Sequence, residues 1–405
     1  MTSGPSSALV DEVESWLRSN LSDEWIEAVD RDDKLALRAA RERLDEADWW
    51  RRLGNAGWYF SDWPVEYGGL GLDAVDAATV NRTLGAYKIP RTENPLGINV
   101  AEALLRWGTD DQRTRFLPAI ARQEEIWVQL FSEPGAGSDL AGLSTRAVRD
   151  GDAWIVNGQK VWSSHAERST WGILLARTDP DVTKHHGLSL FIIAMEQPGI
   201  DVRPLRQMTG EAFFNEVFMT DAVVREEHRI GELGDGWRLA SQLLTFERGA
   251  GSGAGSSKPS MGIGRSVDAL RTRYSPVADS VLRDRLTQAY IADRVSGWTG
   301  ARAAALRKAG RSSARPSIVL KALRSETLQR LQELSLDLEG ISAIALDAGD
   351  RWADTSAYGF LRTRSATISG GSSQIQRNII GEKVLGLPRE PAVDIGVPWS
   401  EVARS

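Results

Sequence analysis

A change of hydrophobic period along the chain limits its architecture more than any other feature. From about Ser7 to Gln123, apolar residues recur at three-to-four spacing among many charges, as in Ala8-Leu9-Val10, Val13 and Trp16-Leu17, the spacing that lines one face of an α-helix. A Pro and Gly cluster from Trp63-Pro64 to Gly71 interrupts this pattern. From about Ile126 to Glu232 the runs become short and strand-like: Trp154-Ile155-Val156, Gly172 to Ala176, Leu188 to Ile193 and Glu216 to Met219. From Trp237 onward helical patterning returns, through Val281 to Lys308, Ile318 to Leu346 and Ser373 to Leu385. The order predicts an α+β chain of three domains: 1–126 helical, 127–236 β, and 237–405 helical. Within the β segment, Asn157-Gly158 before Lys160-Val161-Trp162 predicts a two-residue hairpin, because a type I′ turn needs positive φ at both central residues.

Composition narrows the chemistry. The 405 residues are 41% hydrophobic and 26% charged, as in an ordinary globule with large cores. Without cysteine there is no disulfide framework, thiolate nucleophile or Cys-type zinc site. The four histidines, His165, His185, His186 and His228, form no H-E-x-x-H, so no catalytic zinc and no other metal site is expected. A net charge of −6 argues against nucleic-acid binding, which needs a basic face. The first thirty residues carry Asp11, Glu12 and Glu14 and no apolar h-region. The apolar run Leu188 to Met195 is too short to cross a bilayer, so a cytoplasmic protein is expected. Half of the 30 aromatic residues are Trp, an excess that composition alone does not explain.

Two glycine-rich tracts invite a phosphate-loop reading. Gly249 to Gly264 fails both G-x-x-x-x-G-K-[ST] and G-x-G-x-x-G, and its composition reads as a flexible joint between helices. The other, Ser132-Glu133-Pro134-Gly135-Ala136-Gly137-Ser138-Asp139, follows a strand. Successive glycines let backbone N–H groups turn toward an anion, and Ser132 and Ser138 add hydroxyls. Taken alone it reads better as a surface turn with no ligand.

Its company decides between these. The loop is followed by Trp154-Ile155-Val156-Asn157-Gly158-Gln159-Lys160-Val161-Trp162-Ser163-Ser164, by Phe214-Asn215-Glu216-Val217-Phe218, by Gly234-Asp235-Gly236-Trp237 and by Gly370-Gly371-Ser372-Ser373-Gln374-Ile375-Gln376-Arg377-Asn378. With Trp63 to Gly71 upstream, this ordered set resembles the acyl-CoA dehydrogenase family from about residue 8 to 388. The resemblance implies a helical N-terminal domain, a middle β-barrel or sandwich, and a C-terminal four-helix bundle. It also implies FAD as cofactor, an acyl-CoA substrate and electron-transferring flavoprotein as acceptor.

In such enzymes a carboxylate removes the α proton of a thioester while a hydride leaves the β carbon for N5 of FAD. The α C–H is a weak acid, so the base must sit within hydrogen-bonding reach and the enolate oxygen must be stabilised. The family hosts the base at one of two positions. The first, four residues before Gln374, is Gly370 here; the second matches Phe246-Glu247-Arg248, which implies Glu247 as the base. Outside the family a Glu-Arg pair on a helix reads as a solvated face. Gly370 still offers its backbone N–H to the thioester oxygen, and its missing side chain points to a bulky or branched acyl group. By motif position, Gln129, Phe131, Ser132, Trp162 and Ser164 would line the flavin ring, Ser138 its pyrophosphate, and Ser372 and Gln374 its nucleotide half. Trp162 has a plain alternative as a buried strand aromatic.

Departures from the family pattern carry information too. Homotetrameric members have E-R-x-x-F-G, whose Arg reaches a neighbour's flavin, where this chain has Leu270 to Pro276. They have Q-I-x-G-G where it has Asp337-Leu338-Glu339-Gly340-Ile341, an acid that would repel phosphate. The chain keeps what serves its own flavin and lacks what it would lend to a partner's. That implies a tetramer, homomeric or shared with a related subunit that supplies cationic contacts. Two other readings of the same fold stay open: a flavin-dependent oxidase or monooxygenase, and a non-catalytic acyl-CoA-binding subunit of a heteromer.

Overall fold

A computed structural model describes residues 7–89, 95–250, 267–345, 352–391 and 394–402, apart from the side chains at 95, 245–250, 307, 308 and 314. The N-terminal part is helical: α1 (Ser7–Asn20), α2 (Asp23–Asp30), α3 (Lys34–Glu42), α4 (Glu46–Asn55), α5 (Ala74–Ala86), α6 (Pro95–Trp107) and α7 (Asp110–Ala121). Side chains of Ser22, Asp33, Asp45, Asp73 and Thr109 cap the backbone N–H groups of α2, α3, α4, α5 and α7. At α7 the cap is reciprocal: Gln112 accepts from the Thr109 N–H and donates to the carbonyls of Glu227 and Arg229, which fastens this helix to the β segment. Trp25, Trp49, Trp50 and Trp58 pack with Val13, Leu17, Leu53 and Val80 in one buried cluster. The Pro and Gly cluster between α4 and α5 is a close turn. A Cβ at Gly69 would come within 2.6 Å of the Phe60 carbonyl oxygen, so no larger residue fits.

The middle part is one eight-stranded sheet: β1 (Trp127–Leu130), β2 (Arg146–Asp150), β3 (Ala153–Ser164), β4 (Trp171–Arg177), β5 (Leu188–Ala194), β6 (Ile200–Leu205), β7 (Phe214–Arg225) and β8 (Arg229–Ile230). The strand order is β6-β7-β3-β2-β4-β5-β8, with β1 parallel to β4. β4 and β5 are apolar on both sides because both sides are covered. Ile173, Leu175, Leu190 and Ile192 meet Leu104, Phe116 and Leu117 of the helices. Leu174, Ala176, Phe191 and Ile193 meet Val156, Val217, Met219 and Val224 of the curled sheet.

The predicted Asn157-Gly158 hairpin is not formed. Both residues lie inside β3, where the pairing with β7 slips between Val156 and Gly158. Gly158 is needed for proximity rather than for a turn, since a Cβ there would sit 2.7 Å from Thr145 Cα. The turn that does reverse the chain is Gly151-Asp152, joining β2 to β3 with Gly151 at φ +62°.

The C-terminal part comprises α8 (Gly236–Ala250), α9 (Val267–Tyr274), α10 (Ser280–Lys308), α11 (Ala314–Glu339), α12 (Ser356–Thr363) and α13 (Ser373–Ile380). The Gly-Ser tract predicted as a joint lies outside the described residues from 251 onward. The helix expected to run from Ile318 to Leu346 stops at Glu339. Gly340 takes φ +66° there and the chain continues as a 3-10 turn, Gly340–Ile344. Leu270, Leu286, Leu331 and Leu334 form the core shared by α9, α10 and α11. The Gly234-Asp235-Gly236-Trp237 motif seats α8 on the sheet: a Cβ at Gly236 would lie 2.6 Å from Ser189 Cα, and the Gly234 N–H donates to Ser189 Oγ at 3.1 Å.

Candidate active site

The end of β1, the glycine-rich loop and the far half of β3 meet. The Val161 N–H donates to the Ser132 carbonyl at 2.9 Å. Lys160, fully buried, donates to the Phe131 carbonyl at 3.0 Å and to Glu133 Oε1 at 2.9 Å. Glu133 also accepts from the N–H groups of Ser144 and Thr145, at 2.7 and 2.9 Å. Burial pushes the Glu133 carboxyl up, but the Lys160 charge and these bonds outweigh it and hold the group below the usual range. Burial pulls the Lys160 ammonium down to about 8 against the opposing pull of Glu133. Both residues stand in the sequence motifs without an assignable role, because the pairing needs the register between segments 27 residues apart.

With Glu133 neutralised, the loop beyond it presents donors. Glu133 and Ala136 exchange backbone hydrogen bonds at 3.1 and 3.0 Å, closing a turn over Pro134-Gly135. A Cβ at Gly135 or Gly137 would meet nothing within 4 Å. Ser138 is exposed. Among the described residues, the N–H groups of Gly137 and Ser138 find no backbone acceptor.

Trp162 directly follows Val161 at this junction. Its indole is 58% exposed, which overturns the alternative of a buried strand aromatic. The cause is local: the β3–β7 pairing slips between Lys160 and Ser163, and Trp162 takes φ +62°. A non-glycine residue in that region carries backbone strain of roughly 1–3 kcal/mol, and here the bulge turns the ring outward. Ser164 pairs with Phe214, whose ring meets Trp162 edge-on at 5.9 Å. Gln129, half-buried on β1, pairs with Ile173.

The C-terminal motif sits on a separate element. Gly370 has φ +64°, and its carbonyl accepts from Gln376 Nε2 at 3.3 Å. Lys321 ties the turn to α11 through the carbonyls of Ala366 and Gly371, at 3.0 and 2.9 Å. Ser372 caps α13 by accepting the Ile375 N–H, and Gln374 is exposed in its first turn. Among the described residues no hydrogen bond joins Gly370, Ser372 or Gln374 to the β segment. The connection runs through α12: Tyr358 donates to Glu211 at 3.0 Å, and Arg362 lies over the Phe213 ring at 5.2 Å, next to Phe214 and Trp162. Glu247 belongs to α8, and its side chain lies outside the described part.

A cavity of about 630 Å³ lined by Trp50, Tyr59, Ile98, Arg122 and Glu124 holds none of these residues. Among the described residues no cluster of three or more His, Asp or Glu is placed to hold a metal, and no helix is long and apolar enough to cross a membrane.

Residues 7–124, 129–222 and 234–385 match the N-terminal, middle and C-terminal domains of acyl-CoA dehydrogenase. The chain is 38% identical to acyl-CoA dehydrogenase IpdE1 of Mycobacterium tuberculosis, covering 94% of this chain and 97% of that protein. It belongs to the acyl-CoA dehydrogenase family. It is 39% identical to (2S)-methylsuccinyl-CoA dehydrogenase of Cereibacter sphaeroides over 45% of this chain and 32% of that one. Its fold superposes on the ChsE4–ChsE5 complex of M. tuberculosis with a TM-score of 0.68 at 26% identity, covering 96% of this chain and 100% of that one. This acyl-CoA dehydrogenase is thus an oxidoreductase from a family of flavoproteins. Its residues fit a flavin: an exposed indole for a flat ring, open glycines with free N–H donors for phosphate oxygens, and a carboxylate masked by Lys160 so that it does not repel them.

Proposed function

We propose that the chain, divided into domains 1–126, 127–236 and 237–405, binds FAD and dehydrogenates an acyl-CoA thioester between its α and β carbons. The observation that carries this reading is the outward-turned Trp162 indole beside Ser132 and the open glycine loop. Ser132, Trp162 and Ser164 hold the ring, with Gln129 on β1 and the backbone of Phe131, whose side chain is buried in the core. Ser138 takes the pyrophosphate, and Ser372 and Gln374 take the nucleotide half. When bound, FAD accepts the hydride that leaves the β carbon. Glu247 removes the α proton, and the Gly370 N–H stabilises the thioester oxygen. Gly370 leaves space, with Lys321 Cε at 3.8 Å the nearest atom to a Cβ built there, which suits a bulky or branched acyl group. Electrons then pass to electron-transferring flavoprotein in the cytoplasm.

We further infer a hetero-oligomer. The acids that replace the family's neighbour-facing element are engaged within the chain, Asp337 with Arg285 at 2.7 Å and Glu339 with Arg273 at 3.5 Å. The ChsE4–ChsE5 relative is itself a complex. Anaerobic addition of a panel of acyl-CoAs to the flavin-loaded protein tests the chemistry. Bleaching of the flavin by at least one is expected, and no bleaching by any contradicts it. Fast reoxidation by air selects an oxidase instead. Full FAD occupancy in a homotetramer of this chain contradicts the hetero-oligomer.

A further inference from the structure

The family match ends at Leu385, yet the described segment 394–402 returns to the β segment and is tightly fastened there. The Trp399 N–H donates to the Val182 carbonyl at 2.8 Å and the Ser400 N–H to the Pro180 carbonyl at 2.9 Å, while Pro398 pairs with Thr183. Two relays lead from this segment toward the glycine loop. In the first, Asp394 sits 2.5 Å from Lys184 Nζ, which also holds both carboxylate oxygens of Asp139 at 2.9 and 3.1 Å. Burial pulls the Lys184 ammonium down, but its bonds to Asp394 and Asp139 outweigh that and leave it raised. In the second, the Trp399 ring faces the Arg177 guanidinium, 4.1 Å from the ring centroid, and its indole N–H donates to the Gly142 carbonyl at 3.3 Å. Arg177 is only 3% exposed and donates to the carbonyls of Ala141 and Leu143, at 2.7 and 3.2 Å. Both relays grip residues 139–143, which follow directly on Gly135–Ser138.

We propose that segment 394–402 is a strap that holds the glycine-rich loop in its cofactor-binding shape, with Trp399 and Asp394 as positioning residues acting through Arg177 and Lys184. The physical reason is entropic. Gly135 and Gly137 have no side-chain neighbours to fix them, and glycine loses the most freedom when ordered. Clamping the loop at its downstream end meets part of that cost before the cofactor arrives, so binding tightens without a new contact to it. Trp399 is the stronger of the two anchors, because its ring covers a buried cation whereas the Asp139 carboxylate is largely solvent-facing.

The inference rests on the flavin reading above, and its test separates the two. The full chain, with any partner it requires, is loaded with FAD, and the release rate is followed by the fluorescence of free flavin. Trp399→Ala should release FAD about tenfold faster. Trp399→Phe, which keeps an aromatic face over Arg177, should restore most of the retention. Asp394→Asn should accelerate release by less than Trp399→Ala. In the protein without FAD, hydrogen exchange of backbone amides in 134–143 should quicken in Trp399→Ala while the helical segments stay as protected as before. Unchanged release and unchanged exchange in Trp399→Ala overturn the strap, as does a Phe variant as defective as the Ala variant. An unmodified protein that takes up no FAD overturns the functional reading as well.

Discussion

Lys160 and Glu133 are the residues on which the site's foundation rests. A buried pair stabilises little relative to an apolar one, but losing one partner leaves an uncompensated charge. Lys160→Met should therefore cost about 3–5 kcal/mol at pH 7 by denaturant unfolding. The pH dependence follows from the shifts. In the unmodified protein the Glu133 carboxyl lies below its unfolded value of 4.5, so its contribution is complete above that pH and fades as pH falls through the folded value. In Lys160→Met burial is opposed only by the N–H groups of Ser144 and Thr145, so the carboxyl's folded value rises relative to that in the unmodified protein and protonation relieves the variant. The gap between the two proteins should narrow as pH falls from about 7 to about 4, and a constant gap would count against the pairing. Gly370 carries a different constraint. Space for a methyl is available there but φ is +64°, so Gly370→Ala should cost about 1–2 kcal/mol, read as a lowered melting temperature. The sequence had assigned Gly370 by the side chain it lacks, and the backbone conformation that favours glycine was not visible in it.

At the scale of elements, legibility followed how local the cause was. The runs in β4 and β5, the capped helices and the three-part order were readable because hydrophobic period and caps are properties of neighbouring residues. Asn157-Gly158 misled because a dipeptide that suits a tight turn also suits a strand crossed closely by another chain segment, and only the neighbour Thr145 distinguishes them. Gly158→Ala should thus destabilise by about 1–3 kcal/mol, through overpacking against Thr145 and through a φ of +157° that side chains rarely adopt. Thr145→Ala, which removes the Oγ1 that a Cβ at position 158 would meet most closely, should recover part of the loss in unfolding experiments. About half of the Trp excess is accounted for at this scale. Seven of the fifteen, Trp25, Trp49, Trp50, Trp58, Trp63, Trp127 and Trp154, are buried in the cores, and Trp399 covers Arg177. No periodicity argument could assign them individually, because their partners lie on other elements.

Over the whole molecule, α12 brings the C-terminal helices against the β segment through Glu211 and Phe213, and α8, which carries Glu247, is seated on the sheet by its first turn. The family and its three-part architecture were legible from motifs in order, and the chain's similarity to acyl-CoA dehydrogenases bears them out. The acyl group was not legible, since a pocket's shape is set by distant segments brought together rather than by any one motif. The central claim is that Glu247 is the base of a flavin-dependent dehydrogenation. It is tested most directly by the rate of flavin reduction after rapid anaerobic mixing with an acyl-CoA that bleaches the unmodified protein. Glu247→Gln should retain the flavin and bind the thioester while reduction slows by at least about a hundredfold. Reduction at the unmodified rate would contradict the account.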